Sequence, residues 1–230
     1  IRIFNGGIGG DTAYDMNKRL DGDIFSKNPT VLMVTFGMND SGYYEYNGDN
    51  AKEFGEQKYQ ESIKNFQQME KRFKELPHTR IVMTGTSPYD ETAQIKDNTV
   101  FKKKNETIKR IIEYQRESAA RNGWEFTDWN APMVAINQEL QQKDPSFTLC
   151  GNDRIHPDND GHMVMAYLFL KAQGFAGKDV ANMEINANKK QAVKAEGCTI
   201  SNIKKIGKDI SFDYLAEALP YPLDTIARGW

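Results

Sequence analysis

The chain reads as an α/β protein with a parallel sheet covered by helices on both faces, followed by a small β-rich extension. Three observations predict this. Residues 31–38 (VLMVTFGM) form a continuous apolar, β-branched run, the pattern of a central parallel strand buried on both sides. Tyr59, Ile63, Phe66, Met69, Phe73 and Leu76 then recur at helical spacing until Pro77 stops them, and a second strand-like run, residues 80–85 (RIVMTG), follows at once. Strand and helix go on alternating with connections of βαβ size, which favours a parallel over an antiparallel sheet.

Taken in order, Ile1 to Phe4 is short and apolar enough for a buried strand. A glycine-rich turn, residues 5–12 (NGGIGGDT), leads to Ala13, Met16, Leu20 and Ile24 at helical spacing. Residues 41–55 make a polar, tyrosine-bearing loop, a rim or a lid. The strand at 80–85 ends in Thr86-Ser87-Pro88-Tyr89-Asp90, a second rim. A long basic helix runs from about Thr99 to Asn122, with Ile108, Ile111 and Ile112 inward, its lysines and arginines on a solvated face and Gly123 as its C-cap. Residues 124–127 form a short strand. Asn130 is placed to cap a helix carrying Met133, Ile136 and Leu140, and the apolar run MVMAYLFL from Met163 makes one more helix. From 177 to 230 the texture changes: residues 183–185 and 210–214 alternate with period two, punctuated by Gly197 and Gly207, as in a β-rich extension. The expected division is therefore 1–176 and 177–230.

Composition narrows the function. With 230 residues, 39% hydrophobic and 27% charged, the chain suits a globular domain with an appendage. A net charge of -2 gives no electrostatic reason to expect nucleic acid or an anionic membrane surface. No apolar run approaches the roughly 20 residues of a membrane span. Cys150 and Cys198 lack Cys-x-x-Cys spacing, so neither a zinc ribbon nor a dithiol redox site is indicated. A disulfide between them and two buried free thiols are both open.

Chemistry concentrates at the ends of the strands. The glycine-rich turn lets backbone N–H groups approach a ligand and face negative charge, but its spacing is not that of a dinucleotide fingerprint. Asn39, in Gly37-Met38-Asn39-Asp40, follows the carboxyl end of a strand, where α/β sheets bind ligands. Asp153 and His156, in Leu149 to His162 (LCGNDRIHPDNDGH), stand three residues apart ahead of a helix, so that the carboxylate can hold the imidazole in one tautomer. Asp153, His156, Asp158, Asp160 and His162 are a dense set of metal-ligating types. They lack the alternation and distal glutamate of a calcium loop, and no His-Glu-x-x-His occurs, so no metal is expected. His162 reads as a packing or capping residue at a helix start, and His78 as a surface residue.

In order and spacing, residues 5–12, 37–40 and 153–157 resemble three of the four sequence blocks of the SGNH (GDSL-type) hydrolases, a family of esterases and acylhydrolases. The likeness covers about residues 1–176. Gly161-His162 leading into an apolar helix is similar to carbohydrate-deacetylating members. The resemblance implies a three-layer α/β/α fold with a flavodoxin-like parallel sheet. It implies oxyanion donors at Gly10 (backbone N–H) and Asn39 (side chain), a general base at His156 and an orienting carboxylate at Asp153. No cofactor is implied, and the substrate would be a small-molecule or carbohydrate ester. The family's serine block precedes the glycine-rich block, whereas the eight serines here (26, 41, 62, 87, 118, 146, 201 and 211) lie in no such context. The expectation is that the nucleophile and the central strand of the sheet lie ahead of Ile1, and that the protein is exported. The competing reading is a non-catalytic module that holds carbohydrate through Trp124, Trp129 and the tyrosine-rich rims.

Overall fold

The structure is a computed structural model that describes residues 2–96 and 99–219. Contacts divide them into two compact units, the first ending at Ala172 and the second beginning at Gln173.

The first unit is built on three parallel strands in the order β1 (Val31–Phe36), β2 (Arg80–Gly85) and β3 (Glu125–Asp128). Val31 pairs with Arg80 and Val82 with Glu125. Five helices accompany them among the described residues: α1 (Ala13–Arg19), α2 (Ala51–Phe73), α3 (Lys104–Asn122), α4 (Asn130–Leu140) and α5 (Asn159–Ala172). One face of the sheet presents Val34 and Phe36 from β1 with Ile81 and Met83 from β2. These pack against Ala13 of α1, Phe66, Met69 and Phe73 of α2 and Ile111 of α3. A separate apolar cluster joins Met133 of α4, Val164 of α5, Trp129, Phe147 and Leu149. The parallel α/β class expected from strand–helix alternation is what the chain forms.

Several elements differ from the sequence reading, each for a physical reason. Residues 2–4 are not in a strand, and Ile3 and Phe4 are exposed. A strand satisfies its backbone only through a neighbour, and none of the described strands runs beside this segment. Strand β1 was expected at the centre, covered on both faces. It lies at the edge, paired only with β2 among the described residues, and Val31 and Met33 are 48% and 47% exposed. On β2 the same face is closed, with Val82 and Thr84 buried, so the cover reaches β2 and stops short of β1.

Helix α2 begins at Ala51, two turns before the apolar periodicity starts. Gly55 sits inside it because a Cβ there would come 2.8 Å from Thr107 Oγ1 on α3, a close helix–helix approach that periodicity does not report. Helix α3 starts at Lys104, five residues later than expected, after Lys103 with φ +69°, and ends at Gly123 in the left-handed conformation (φ +67°). Its cations were expected on a solvated face, yet Lys104 is fully buried. Asp128 rather than Asn130 caps α4, accepting from the N–H groups of Asn130 (2.9 Å) and Ala131 (3.2 Å). Asn130 itself turns inward to bond Asn105.

The second unit holds two antiparallel hairpins, β4 (Asn182–Asn186) with β5 (Gln191–Glu196) and β6 (Cys198–Ile206) with β7 (Asp209–Ala216). Gly207, at φ +62°, makes the turn between the last two strands, as its position in the sequence suggests. Both cysteines are free and buried. No helix of the described residues is long and apolar enough to cross a membrane.

Candidate active site

Each strand-end block singled out in the sequence is tied to another. In the glycine-rich turn, Gly10 has φ +86° and is exposed, a backbone conformation that glycine adopts without strain. Arg19 of α1 fastens the segment from behind, with Nη1 on the Gly6 carbonyl (2.7 Å) and Nε on the Asp11 carboxylate (2.6 Å). The N-terminus of α1 is completed locally by Asp15, whose carboxylate accepts from the N–H (3.2 Å) and hydroxyl (2.6 Å) of Thr12, a capping interaction.

The turn that follows β1 carries Asn39, and polar side chains hold it. Asp40 is buried and accepts from Gly37 N (3.1 Å), from Ser62 Oγ (3.1 Å) and from Ala13 N (3.0 Å), the first residue of α1. Burial pushes its carboxyl above the usual range, against the pull of those hydrogen bonds. One aspartate thus shapes the Asn39 turn and anchors the glycine-rich segment to it. Asn39 Nδ2 donates to the Asp11 carbonyl (3.0 Å), and Asn39 Oδ1 accepts the Tyr43 hydroxyl (2.6 Å). An amide nitrogen carries two hydrogens. With Tyr43 fixing which end is oxygen, one N–H serves Asp11 and the second has no acceptor among the described residues. The Tyr43 hydroxyl is pushed up to about 12 by burial and by the charges of Asp153 and Asp40, so it remains a donor across the neutral range.

The Asp153–His156 loop is exposed, yet tightly specified. Asp153 Oδ2 lies 2.6 Å from His156 Nδ1, while Asp153 Oδ1 accepts the N–H groups of Ile155 and His156 (2.9 Å each). Burial raises the Asp153 carboxyl, but the bonds from the His156 side chain and from the two backbone N–H groups outweigh it and hold the group below its ordinary value. The imidazole is 81% exposed, and the only hydrogen-bond partner of its ring among the described residues is Asp153. That assigns the proton on Nδ1 to the carboxylate and leaves Nε2 as the basic atom.

What holds so open a loop is Arg154, the residue between the pair. It is buried, has φ +68°, and sends Nη1 to the carbonyls of Asp90 (3.1 Å) and Ala93 (2.7 Å), while its own carbonyl accepts Asp90 N (3.0 Å). Asp90 is in turn bound by Asn137 of α4 (3.1 Å) and by Gln141 (3.0 Å), just past the end of that helix. Ile155, Met38 and Tyr43 pack against the same buried cluster, which includes Phe101 and Tyr89, and the charge of Asp153 is felt at the Tyr43 hydroxyl, so the histidine loop and the asparagine turn share one neighbourhood. Arg154, Asp90, Tyr43 and Lys104 were not found from the sequence. An arginine inside Asp-x-x-His gives no sign of turning inward, and Lys104 is lost among its basic neighbours.

Glycine is required at two points here. A Cβ on Gly151 (φ +65°) would lie 2.4 Å from the His156 carbonyl oxygen, and one on Gly161 would lie 2.2 Å from that of Leu149. Gly151→Ala is therefore expected to lower stability by about 2 kcal/mol or more, combining left-handed strain with a backbone clash. Calorimetry should show a fall of several degrees in Tm, and an unchanged Tm would refute it.

The remaining sequence candidates fall elsewhere. His162 is exposed on the first turn of α5, with its N–H on the Asp158 carbonyl (2.8 Å), so of the packing and capping roles expected of it the ring does not take the packing one. His78 is exposed. Trp129 is buried, and Trp124 is half-buried against Phe73, ring to ring at 5.9 Å. Both indoles are spent on the core rather than presented to a ligand. Among the described residues no group of three or more His, Cys, Asp or Glu side chains converges to hold a metal ion.

A family model of GDSL-like lipases and acylhydrolases matches residues 1–164. The chain belongs to the GDSL-like lipase/acylhydrolase family. It is thereby an ester hydrolase by family. It is 24% identical over 176 residues, 76% of this chain and 73% of the other, to an acetylxylan esterase of Geobacillus stearothermophilus. The crystal structure of an acetylxylan esterase from that organism superposes with a TM-score of 0.55 at 23% identity, over 74% of this chain and 70% of the other. An acetyl xylan esterase, AlAXEase, superposes at 0.53 and 22% identity, over 72% and 78%. At these identities the structural likeness is one of fold, that of the SGNH hydrolases.

Proposed function

We propose that this GDSL-family chain carries the base, the orienting carboxylate and the oxyanion donors of a serine esterase that removes a small acyl group, acetyl in the first instance, from a carbohydrate hydroxyl. The observation that carries the reading is the 2.6 Å contact between Asp153 Oδ2 and His156 Nδ1 on an otherwise open imidazole. In this reading Nε2 takes the proton of a serine hydroxyl as it attacks the acyl carbon and later returns it to the departing sugar oxygen. The Gly10 N–H and the spare Asn39 N–H meet the negative charge that develops on the acyl oxygen. The similarity to acetylxylan esterases supports the sugar ester, as does Tyr44. Its ring is 80% exposed on the same tyrosine-bearing loop and held edge-on by Phe101 at 5.4 Å, a free apolar face on which a pyranose can stack.

None of the chain's eight serine hydroxyls is hydrogen-bonded to the His156 ring in the described structure. Ser41 is fully buried and donates to the Met38 carbonyl (2.8 Å). The proposal assigns the nucleophile to none of these eight and takes it to be another serine of the full-length gene product. The same observation favours the second reading, a sugar-binding module without chemistry. A fluorophosphonate probe on the full-length gene product separates the two. The esterase reading expects one labelled serine ahead of Ile1 and release of p-nitrophenol from p-nitrophenyl acetate. A protein that neither labels nor turns over, yet binds acetylated xylo-oligosaccharide, is the binder.

A further inference from the structure

We propose that Lys104 is the positioning residue of the Asn39 amide, its ammonium sealed beneath the Met38–Gly42 turn and holding that turn in the shape that offers Asn39 to the acyl oxygen. The inference rests on the esterase reading and adds a residue to it.

A buried lysine is costly unless its donors are matched. Here the match is complete. Lys104 is fully buried, and Nζ donates to the Met38 carbonyl (2.7 Å), Ser41 Oγ (2.6 Å) and the Gly42 carbonyl (2.5 Å). An ammonium has three hydrogens, and all three go to one short turn. The carbonyl of Met38 immediately precedes Asn39, and the other two acceptors follow it. Nζ also lies 3.8 Å from the ring centroid of Tyr43, the residue whose hydroxyl orients the Asn39 amide at 2.6 Å. One cation thus grips the chain on both sides of Asn39 and the ring that sets its amide. A general core lysine would distribute its bonds over several elements.

The charge itself has a second effect, because a buried cation behind the donor favours negative charge in front of it. The charged and titratable groups around Lys104 are Asp40, Glu91, Tyr43 and Tyr89. Asp40 is committed to three other donors. Burial pushes the ammonium down to about 7, against the opposing charges of Asp40 and Glu91. A neutral amine has two hydrogens, so one acceptor of the turn loses its donor on deprotonation. Stability moves in the opposite sense. Below pH 7 folded and unfolded chains are both charged here and the burial cost is fully present. Between about 7 and 10.5 the unfolded chain binds more protons, so this group makes stability rise with pH. Activity that falls over a window in which stability rises is not what a merely structural lysine produces.

The test compares the full-length gene product with its Lys104→Met and Ser41→Ala variants. In Lys104→Met, kcat for p-nitrophenyl acetate should fall about 10-fold or more with KM within about twofold. A basic limb of kcat near pH 7 in the unmodified protein should be absent from the variant. By hydrogen exchange, the amides of Ser41 and Gly42, which donate to Gly37 O (3.0 Å) and Asn39 O (3.1 Å), should lose protection at least ~10-fold while those of α2 keep it. Ser41→Ala should show the same pattern more weakly, and it decides the matter if Lys104→Met does not fold. Unchanged protection of Ser41 and Gly42, or protection lost evenly over α2, α3 and the turn, overturns the proposal. If the unmodified protein shows no turnover, the esterase reading fails by itself and the exchange pattern alone decides the role of Lys104.

Discussion

Replacing His156 by alanine will abolish ester hydrolysis by the full-length gene product, a loss on the order of 10⁴-fold or more in kcat, and leave the fold intact. In the proposed reading the loss is large because the ring is the general base: its Nδ1 is engaged by Asp153 at 2.6 Å, and without the imidazole the serine keeps its proton. The fold survives because the ring is 81% exposed and its loop is anchored by Arg154, whose bonds to Asp90 and Ala93 do not involve the imidazole. Steady-state kinetics with p-nitrophenyl acetate, alongside thermal unfolding, check both halves. Turnover at the unmodified rate would remove His156 from the mechanism. A collapsed Tm would instead make it a structural residue.

Asn39→Ala carries the second-largest expected effect, a fall in kcat of roughly 10²–10³-fold with KM little changed. The amide is oriented before substrate arrives, because Tyr43 holds Oδ1 (2.6 Å) and Asp11 takes one N–H (3.0 Å). In the proposed reading the remaining N–H therefore needs no reorganisation when charge develops on the acyl oxygen. Such a donor acts on the transition state more than on the bound ester, so its loss belongs in kcat. A rise in KM alone would make Asn39 a substrate-binding residue. Asp40, next to it, answers a different question: its three bonds to Gly37, Ser62 and Ala13 shape the turn, and its replacement should cost stability as well as rate.

How legible these residues are in the sequence depends on how local their interactions are. The Asp153–His156 pair is read directly, because a spacing of three residues puts the two side chains within reach of each other. The glycines at 10, 123 and 207 announce left-handed backbone that other residues avoid. The helix over Tyr59 to Phe73 follows from apolar periodicity, and the strands at 31–36 and 80–85 from continuous apolar runs. Arg154 and Lys104 are illegible for the opposite reason. Both are cations in polar surroundings in the sequence, and both are buried by partners 60 or so residues away, at Asp90 and Ala93 for the first and at Met38, Ser41 and Gly42 for the second.

By itself, then, the sequence determined the alternation of parallel strands and helices, the change to β hairpins in the second unit, and the contact between Asp153 and His156. These rest on side-chain periodicity and on bonds between near neighbours, which the order of residues specifies directly. Tertiary structure alone decided that β1 pairs only with β2 among the described residues, that Trp124 and Trp129 serve the core, that Asp128 takes the cap from Asn130, and that one lysine of a basic helix is drawn beneath Asn39. Each of these is a choice between burial and exposure. That choice is made by whichever distant segment covers the residue, and no window of neighbouring residues contains it.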